Sequence, residues 1–405
     1  MVSLDVRTRS DDDVVPVDAE EFFGHRLPEL AVSRGELAIP GAIELAARSL
    51  TIDTPAGAWT MVVGPDAIQI VPGDDGAASV HMDAEELTDI VHDLRTPMTF
   101  LTAGTLDMER GSLIDFLDWW VVLRSLIDGV AVHTAGSIDF SDRRGDPLDL
   151  HASFAVGDDP EDMAHFLAEA GYLHLRGVFT EGEMAQVSAD IDAATPTYHP
   201  DDGRSWWART AAGGERAVRL QWFQEHSATT TEMLADDRLL GISRLTTDGH
   251  VATRDGNRIE ALVKPIGVVE GISDVPWHKD CSLGRHSYQC CGLTVGISVT
   301  GADERSGQLA VVAGSHRALV QPAFARPSWG LPLIDLPTAT GDVTVHTSCT
   351  MHMSHPPVDR ERRVMYTGFS LPPTAAEAAR PRLDALAGVR ERAHRVVSQA
   401  PGHTG

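Results

Sequence analysis

Two stretches of the sequence, VPWHKD at residues 275–280 and GDVTVHTSCTMHMSHPPVDRERR at residues 341–363, decide the fold and the chemistry. In the first, His278 and Asp280 stand two positions apart, and on an extended strand two such side chains point to the same face. In the second, a Gly-Asp pair and an apolar strand precede His352. Two imidazoles and one carboxylate are the facial ligand set of non-haem iron oxygenases. The sequence therefore predicts an iron site formed by His278, Asp280 and His352.

Three histidines of the second stretch compete for the distal ligand position, namely His346, His352 and His355. Ligand chemistry alone leaves the three open, and His352 is selected by the resemblance to a family whose motif places the distal ligand at this interval from the Gly-Asp pair at 341–342. By strand alternation His346 shares a face with His352, whereas His355 lies on the other face and suits a substrate pocket.

Further motifs agree with these two stretches in order and spacing. FLAEAGYLHLRGVFTEGEM, at residues 166–184, predicts a helix, a strand and a second helix that Thr180 and Glu183 cap together. GQLAVVAGSH, at residues 307–316, predicts a strand followed by a tight turn, in which His316 is expected to be a hydrogen-bonding residue of the turn. Over about residues 158–372 the chain resembles the phytanoyl-CoA dioxygenase-like family of Fe(II)/2-oxoglutarate-dependent oxygenases, except that Ala313 replaces the usual proline.

The resemblance implies a C-terminal double-stranded β-helix (a jelly roll, cupin-like) with flanking helices. It also implies that an arginine eleven positions after the distal histidine binds the cosubstrate carboxylate, a task that suits the planar guanidinium. Of Arg362 and Arg363, this interval selects Arg363. Family members that halogenate carry a small residue in place of Asp280, so its presence argues against a halogenase.

The cosubstrate and substrate residues are predicted less directly. Lys264 follows apolar residues on a strand, and it either contacts a carboxylate of 2-oxoglutarate or substrate, or is a rim lysine with a packed stem. The other candidates for the cosubstrate pocket are Ser354, Gln289 and Thr294. Substrate contacts are expected from a lid rich in cationic and aromatic residues, or else these residues form an aromatic cluster under a long loop: Arg204, Trp206, Trp207, Arg209 and Trp222. His355 is a separate candidate for the substrate pocket.

The N-terminal third predicts a separate α+β domain. Residues 1–17 are acidic and expected to be disordered. Residues 18–135 alternate helix and strand patterns and carry Asp83–Leu87, Gly104-Thr105-Leu106 and Gly111-Ser112-Leu113. This order resembles a sterol-carrier-protein-2-like (SCP2-like) domain, and a plain packing or homodimerisation module is the alternative. A linker at 136–155 then leads to the oxygenase domain, 156–405, which is expected to end in an outer helix at 375–397.

Composition excludes several classes of partner. The 405 residues carry a formal charge of -26, which opposes binding to nucleic acid. No apolar run is long enough to insert into a membrane and no signal peptide is visible, so a cytoplasmic location is expected. The four cysteines form no CxxC pair and are expected to be free buried thiols.

Taken together, the sequence predicts a non-haem Fe(II)/2-oxoglutarate-dependent dioxygenase with Fe(II), 2-oxoglutarate and O2 as cofactors. Its expected reaction is oxidation, by default hydroxylation, of a small, partly hydrophobic metabolite of secondary metabolism, with release of succinate and CO2. Desaturation or cyclisation on the same scaffold is the alternative outcome. A metal-free barrel that only binds ligands, and a zinc hydrolase, are the alternative classes.

Overall fold

The structure is a computed structural model that describes residues 14–200, 202–246, 251–252, 258–271, 275–283 and 292–371. The predictions made for residues 1–13, for Gln289, for Cys290 and Cys291 and for a helix at 375–397 lie outside these ranges. Among the described residues, no helix combines the length and the apolar character needed to cross a bilayer.

The N-terminal part consists of a five-stranded sheet and helices packed on it. Its elements in chain order are α1 (Ala19–Glu21), a π-helical turn (Phe22–Arg26), α2 (Leu27–Glu44), β1 (Leu50–Thr54), β2 (Gly57–Val63), β3 (Ile68–Pro72), β4 (Ala78–His81), α3 (Ala84–Val91), α4 (Pro97–Ala103), β5 (Asp107–Arg110) and α5 (Leu113–Asp128). The strand order is β3-β2-β1-β4-β5, with β1 and β4 parallel and the other neighbours antiparallel.

Local sequence signals explain where these helices begin. Asp18 caps the first helix through the amide of Glu21, and Asp83 forms a reciprocal capping box with Glu86. Helix α5 is buried over almost its whole length because most of its side chains are apolar, and its buried charged residues Asp118 and Arg124 form ion pairs. The predicted mixture of helices and strands is thus confirmed here, while the SCP2-like resemblance stays a prediction.

The C-terminal part contains a large sheet, a small sheet and helices. Its elements are β6 (Phe154–Ala155), α6 (Pro160–Ala170), β7 (Tyr172–Arg176), α7 (Glu181–Ala194), β8 (Ser205–Thr210), β9 (Glu215–Leu220), α8 (Ala228–Leu234), α9 (Asp237–Leu240), β10 (Val251–Ala252), β11 (Glu260–Lys264), β12 (Val268–Glu270), β13 (Gly292–Ser298), β14 (Leu309–Val312), β15 (Leu333–Leu336), β16 (Val343–Thr347), β17 (His352–Ser354) and β18 (Arg362–Ser370). The large sheet has the order β12-β8-β9-β11-β18-β13-β16-β7-β6, with β10 also paired to β18, and the small sheet has the order β15-β14-β17.

The large sheet has two different faces. On one face, which we call the helix-covered face, residues such as Val263 and Met365 pack against α6 and α7 in one hydrophobic core. The opposite face, which we call the inner face, meets the small sheet across a cavity lined from both sides, for example by Val364 and Leu309. Two facing sheets with flanking helices agree with the predicted class, but within the described residues the sheets do not close into a barrel.

One segment, residues 315–329, lies between the two parts of the chain. Arg326 forms an ion pair of 2.9 Å with the buried Asp118 of α5, and Leu319 packs in the hydrophobic core of the N-terminal part. In the same segment, the carbonyl of Pro322 accepts a hydrogen bond of 3.1 Å from the amide of Lys279. The N-terminal part is therefore connected through this segment to the stretch that carries His278 and Asp280.

Candidate metal centre

Backbone hydrogen bonds hold His278 beside His352, the first residue of β17. They form an isolated antiparallel bridge, with the amide of each donating to the carbonyl of the other at 2.9–3.0 Å. The predicted strand does not continue to Asp280, which instead begins a 3-10 turn at Asp280–Leu283. This turn still directs the carboxylate toward the imidazoles. Lys279 points away from the site, as expected, and its buried ammonium donates to the carbonyl of Ser315 at 2.8 Å.

The three predicted ligands converge. One ligand atom from each of His278, Asp280 and His352 lies within 4.8 Å of the others. The Asp280 Oδ1 oxygen is 3.3 Å from the His278 Nε2 nitrogen and 3.6 Å from the His352 Nε2 nitrogen. Cis ligands of octahedral iron bound at about 2.1 Å are separated by roughly 3 Å, so small shifts would place all three around one ion.

Backbone carbonyls fix which imidazole nitrogen faces the site. Nδ1 of His278 lies 2.7 Å from the carbonyl oxygen of Pro276, and Nδ1 of His352 lies 2.9 Å from that of Thr350. Since a carbonyl only accepts, each Nδ1 carries the proton and each Nε2 offers its lone pair. The donor set therefore fits a divalent transition metal.

The electrostatics of the site agree with metal binding. Burial, reinforced by the charges of His346 and His278, holds the pKa of His352 well below its ordinary value. Burial alone would raise the pKa of Asp280, but its three histidine neighbours outweigh this effect, and the pKa lies well below its ordinary value. Neutral imidazole and ionised carboxylate are the protonation states that bind metal.

A fourth side chain, His346, touches this group, although the sequence suggested it only as a competing ligand. Its Nε2 lies 3.3 Å from Asp280 Oδ2, and its ring centroid is 4.1 Å from that of His352. Thr294, predicted as a cosubstrate residue, donates its hydroxyl to the same Oδ2 at 2.6 Å. Both residues therefore contact the carboxylate of Asp280.

The structure does not bring Arg363 together with the triad. On β18, Arg363 pairs with Val263 and lies on the helix-covered face, where its guanidinium binds Ser188 and Asp192 of α7. Arg362 pairs with Lys264 instead and therefore lies on the inner face. The reason is strand alternation: adjacent residues point to opposite faces, so only one of the two arginines can face the site.

Arg362 and Lys264 are both almost completely buried, with 3% and 1% of their surface exposed. The Lys264 ammonium donates to the Ser354 hydroxyl at 2.6 Å and to the carbonyl of His355 at 2.7 Å. Arg362 donates to the carbonyl of Gly307, and its Nε has no hydrogen-bond partner among the described residues. Lys264 is therefore a buried lysine and not one at the rim of a pocket.

A small cavity of about 20 Å³ lies between the sheets beside Arg362. Its walls on the large sheet include Gly296 and Thr344, which are each two positions along their strands from Thr294 and His346. The cavity thus lies between the arginine and the metal ligands. Because this volume corresponds to little more than one water molecule, a keto acid would need side chains to move.

Of the residues predicted to form a lid, Trp206, Trp207 and Arg209 lie on the antiparallel hairpin of β8 and β9. Arg204 and Trp222 lie just outside these two strands. Trp206 is buried beneath the guanidinium of Arg219 on the inner face, whereas Trp207 lies on the helix-covered face with Arg363. Alternation along β8 separates the two tryptophans, so they cannot grip one ligand together.

The remaining substrate candidates lie at the surface. Arg204 pairs with Glu225 and stacks over Trp222 at 4.8 Å, and Arg209 pairs with Glu270. His355 is half-exposed and bonds to Asp335 at 3.0 Å, and none of these groups contacts the triad. Gln289 lies outside the described residues.

A comparison with known families decides the identity of this part of the chain. The model of the phytanoyl-CoA dioxygenase (PhyH) family matches residues 167–364. Residues 167–364 are a PhyH family domain. The protein is therefore an enzyme of the 2-oxoglutarate-dependent oxygenase type, and the triad of the PhyH domain agrees with its cofactors being Fe(II), 2-oxoglutarate and O2. No curated protein matches the chain.

Several solved structures are similar to this chain over about half of its length. The non-heme alpha ketoglutarate dependent epimerase SnoN from nogalamycin biosynthesis is 17% identical, over 52% of this chain and 81% of that one, with a TM-score of 0.40. AviO1 from Streptomyces viridochromogenes Tue57 is 22% identical, over 55% and 97%, with a TM-score of 0.42. The carbocyclase SnoK is 19% identical, over 54% and 87%, with a TM-score of 0.41. Similarity at these TM-scores does not indicate which reaction the protein catalyses.

Proposed function

We propose that the protein is an Fe(II)/2-oxoglutarate-dependent dioxygenase that hydroxylates a small, partly hydrophobic metabolite and releases succinate and CO2. The observation that carries this proposal is the convergence of His278, Asp280 and His352 within a PhyH domain. When bound, iron would supply the chemistry that couples decarboxylation of 2-oxoglutarate to oxidation of a substrate C–H bond. The three side chains would hold the iron and would leave room beside it for the cosubstrate and O2.

We further propose Arg362, rather than Arg363, as the residue that binds the far carboxylate of 2-oxoglutarate. Arg362 lies on the inner face, its Nε is available to a ligand, and Lys264 stands opposite it in the neighbouring strand. In a buried site two cations favour a dianionic keto acid, and a guanidinium grips a carboxylate through two parallel hydrogen bonds. Ser354, held by Lys264, would then contribute a hydroxyl to the same carboxylate.

The N-terminal part supports a division into an α+β domain at 18–135, a linker at 136–155 and an oxygenase domain from 156, which we retain as a proposal. A homodimer formed through the N-terminal domain and a cytoplasmic location also stay predictions. The choice of a partly hydrophobic substrate rests on the SCP2-like resemblance of the N-terminal part, because similar domains offer an apolar cavity for lipid.

Succinate production tests the reaction class without knowledge of the substrate. Enzyme reconstituted with Fe(II) should convert 2-oxoglutarate to succinate only in the presence of O2. Asp280→Ala and His352→Ala should lose both metal binding and succinate production. His355→Ala should retain them, because this nearby histidine side chain binds Asp335 instead of the site. A protein that binds no metal would be a ligand-binding barrel, and turnover without O2 would indicate a hydrolase.

The reaction outcome requires a product. Incubation of the reconstituted enzyme with a metabolite extract should yield compounds that gain one oxygen atom, only when O2 and 2-oxoglutarate are both present. Products that have lost two hydrogen atoms would indicate desaturation or ring closure instead of hydroxylation. No oxygen-dependent product from any extract, despite succinate formation, would leave the class intact and contradict the proposed substrate.

A further inference from the structure

We propose that Thr294 and His346 are positioning residues that hold Asp280 in the orientation in which it binds iron. This inference rests on the proposed function, because it takes the triad as the metal site. The two oxygens of Asp280 have separate partners. Oδ1 faces the imidazoles of His278 and His352, whereas Oδ2 accepts the Thr294 hydroxyl at 2.6 Å and lies 3.3 Å from His346 Nε2.

The location of Asp280 explains why it needs such support. The two imidazoles belong to backbone segments that hydrogen-bond to each other, but Asp280 lies at the start of a 3-10 turn outside both sheets. Thr294 and His346 stand directly opposite each other on the neighbouring central strands β13 and β16. A rigid sheet therefore supplies two contacts to a carboxylate whose own backbone is outside it.

These contacts would also limit how the carboxylate binds metal. A carboxylate whose outer oxygen is free can rotate and bind through both oxygens, which would occupy a position that the cosubstrate needs. With Oδ2 held by Thr294 and His346, only Oδ1 faces the triad. Partners of this kind set the orientation and basicity of metal ligands.

The chemistry of His346 supports a specific role over that of a buried core histidine. An ionised carboxylate only accepts hydrogen bonds, so Nε2 of His346 is the donor. The His346 ring is 1% exposed, and its Nδ1 has no hydrogen-bond partner among the described residues. A histidine needed only for packing could be replaced by an apolar ring, which would leave no buried nitrogen unsatisfied. His346 also contacts the ring of His352, so it touches two of the three ligands.

Titration of the full-length protein with Co(II), a spectroscopically visible substitute for Fe(II), tests this role without turnover. Thr294→Val keeps the side-chain shape but removes the hydroxyl, and it should raise the Co(II) dissociation constant by about 10- to 100-fold. Thr294→Ser restores the hydroxyl and should stay within about threefold of wild type. His346→Phe should weaken binding to a similar degree as Thr294→Val and change the ligand-field absorption of bound Co(II). His346→Gln, which retains a donor near the Nε2 position, should recover most of the affinity.

A second histidine–carboxylate pair provides the control. Nε2 of His174, on β7, lies 2.9 Å from Oδ2 of Asp342, which directly precedes β16, and neither residue is a triad member. His174→Gln should leave the Co(II) affinity and spectrum unchanged, and circular dichroism melting curves should show how far each variant is destabilised.

The outcomes separate this inference from the proposed function. If wild-type protein binds no Co(II), the metal site itself is wrong. If wild type binds Co(II) and Thr294→Val and His346→Phe bind it with unchanged affinity and spectrum, only the positioning role is wrong. Equal loss in Thr294→Val and Thr294→Ser would also contradict it, because the hydroxyl would then not be the group that matters.

Discussion

Replacing Arg362 should abolish tight binding of 2-oxoglutarate, whereas replacing Arg363 should not. The two arginines are neighbours in the chain and differ in the face of β18 on which they lie. Arg362 is buried on the inner face opposite Lys264, and Arg363 binds Asp192 and Glu361 on the helix-covered face. Arg362→Gln and Arg363→Gln therefore make the same chemical change on two opposite faces of one strand.

The expected magnitude follows from the hydrogen bonds lost. Two charge-assisted bonds from a buried guanidinium to a carboxylate contribute about 3 kcal/mol together once desolvation is included, and each 1.4 kcal/mol is a factor of ten. Arg362→Gln should thus weaken 2-oxoglutarate binding by roughly 100-fold. Arg363→Gln removes partly exposed ion pairs worth about 0.2–1 kcal/mol of unfolding free energy and should change binding less than about twofold.

Calorimetric titration of 2-oxoglutarate into the Fe(II) protein without O2 measures this difference directly. Arg362→Lys serves as an intermediate variant, because it keeps the charge but loses the planar fork and should recover only part of the affinity. Melting temperatures identify any variant whose fold is lost. A 100-fold loss in Arg363→Gln together with wild-type binding in Arg362→Gln would refute the assignment by strand face.

Three further predictions concern residues around the site and between the two parts of the chain. Lys264→Met keeps the buried aliphatic stem but loses the hydrogen bonds of the ammonium group. In calorimetric titrations it should weaken 2-oxoglutarate binding about tenfold, with little change in secondary structure. Unchanged binding would show that Lys264 has only a structural role. Burial raises the pKa of Asp118 to about 6 despite Arg326, so the folded protein binds this proton more tightly than the unfolded chain. The wild-type free energy of unfolding, measured by urea denaturation, should therefore fall by up to about 3 kcal/mol relative to Asp118→Asn as the pH rises from about 4 to about 6, and parallel profiles would contradict this. Gly307 has φ +79°, and a Cβ there would lie 2.2 Å from the carbonyl oxygen of His355. Gly307→Ala should therefore lower the free energy of unfolding by about 1–3 kcal/mol. A melting temperature equal to that of wild type would show that the turn can relax.

Sequence patterns located the three metal ligands because ligand chemistry restricts which residues can occur and in what order. The starts of two helices could also be predicted from the sequence, because Asp83 and Thr180 need only the next three residues to form their caps. In both cases the signal is local or is set by the identity of the side chain.

The choice between Arg362 and Arg363 could not be made in the same way. A motif interval counts residues, but the side of the sheet depends on the pairing of β18 with β11, which are separated by about a hundred residues of chain. The same limitation applies to Trp206 and Trp207. Their prediction as parts of one lid did not take into account that neighbouring residues of a strand point to opposite faces. His346 was recognised only as a rival ligand, because its contact with Asp280 exists only once β13 and β16 are paired.

Residues 315–329 have a consequence for dissecting the protein. A fragment beginning near residue 155 would retain every predicted metal ligand, yet it would expose Leu319 to water and leave Arg326 without Asp118. The segment that loses this support contains Pro322, whose carbonyl accepts the amide of Lys279, between the first two predicted iron ligands. The first 130 residues therefore cannot be exchanged freely for an unrelated module, and grafting experiments should move both halves together.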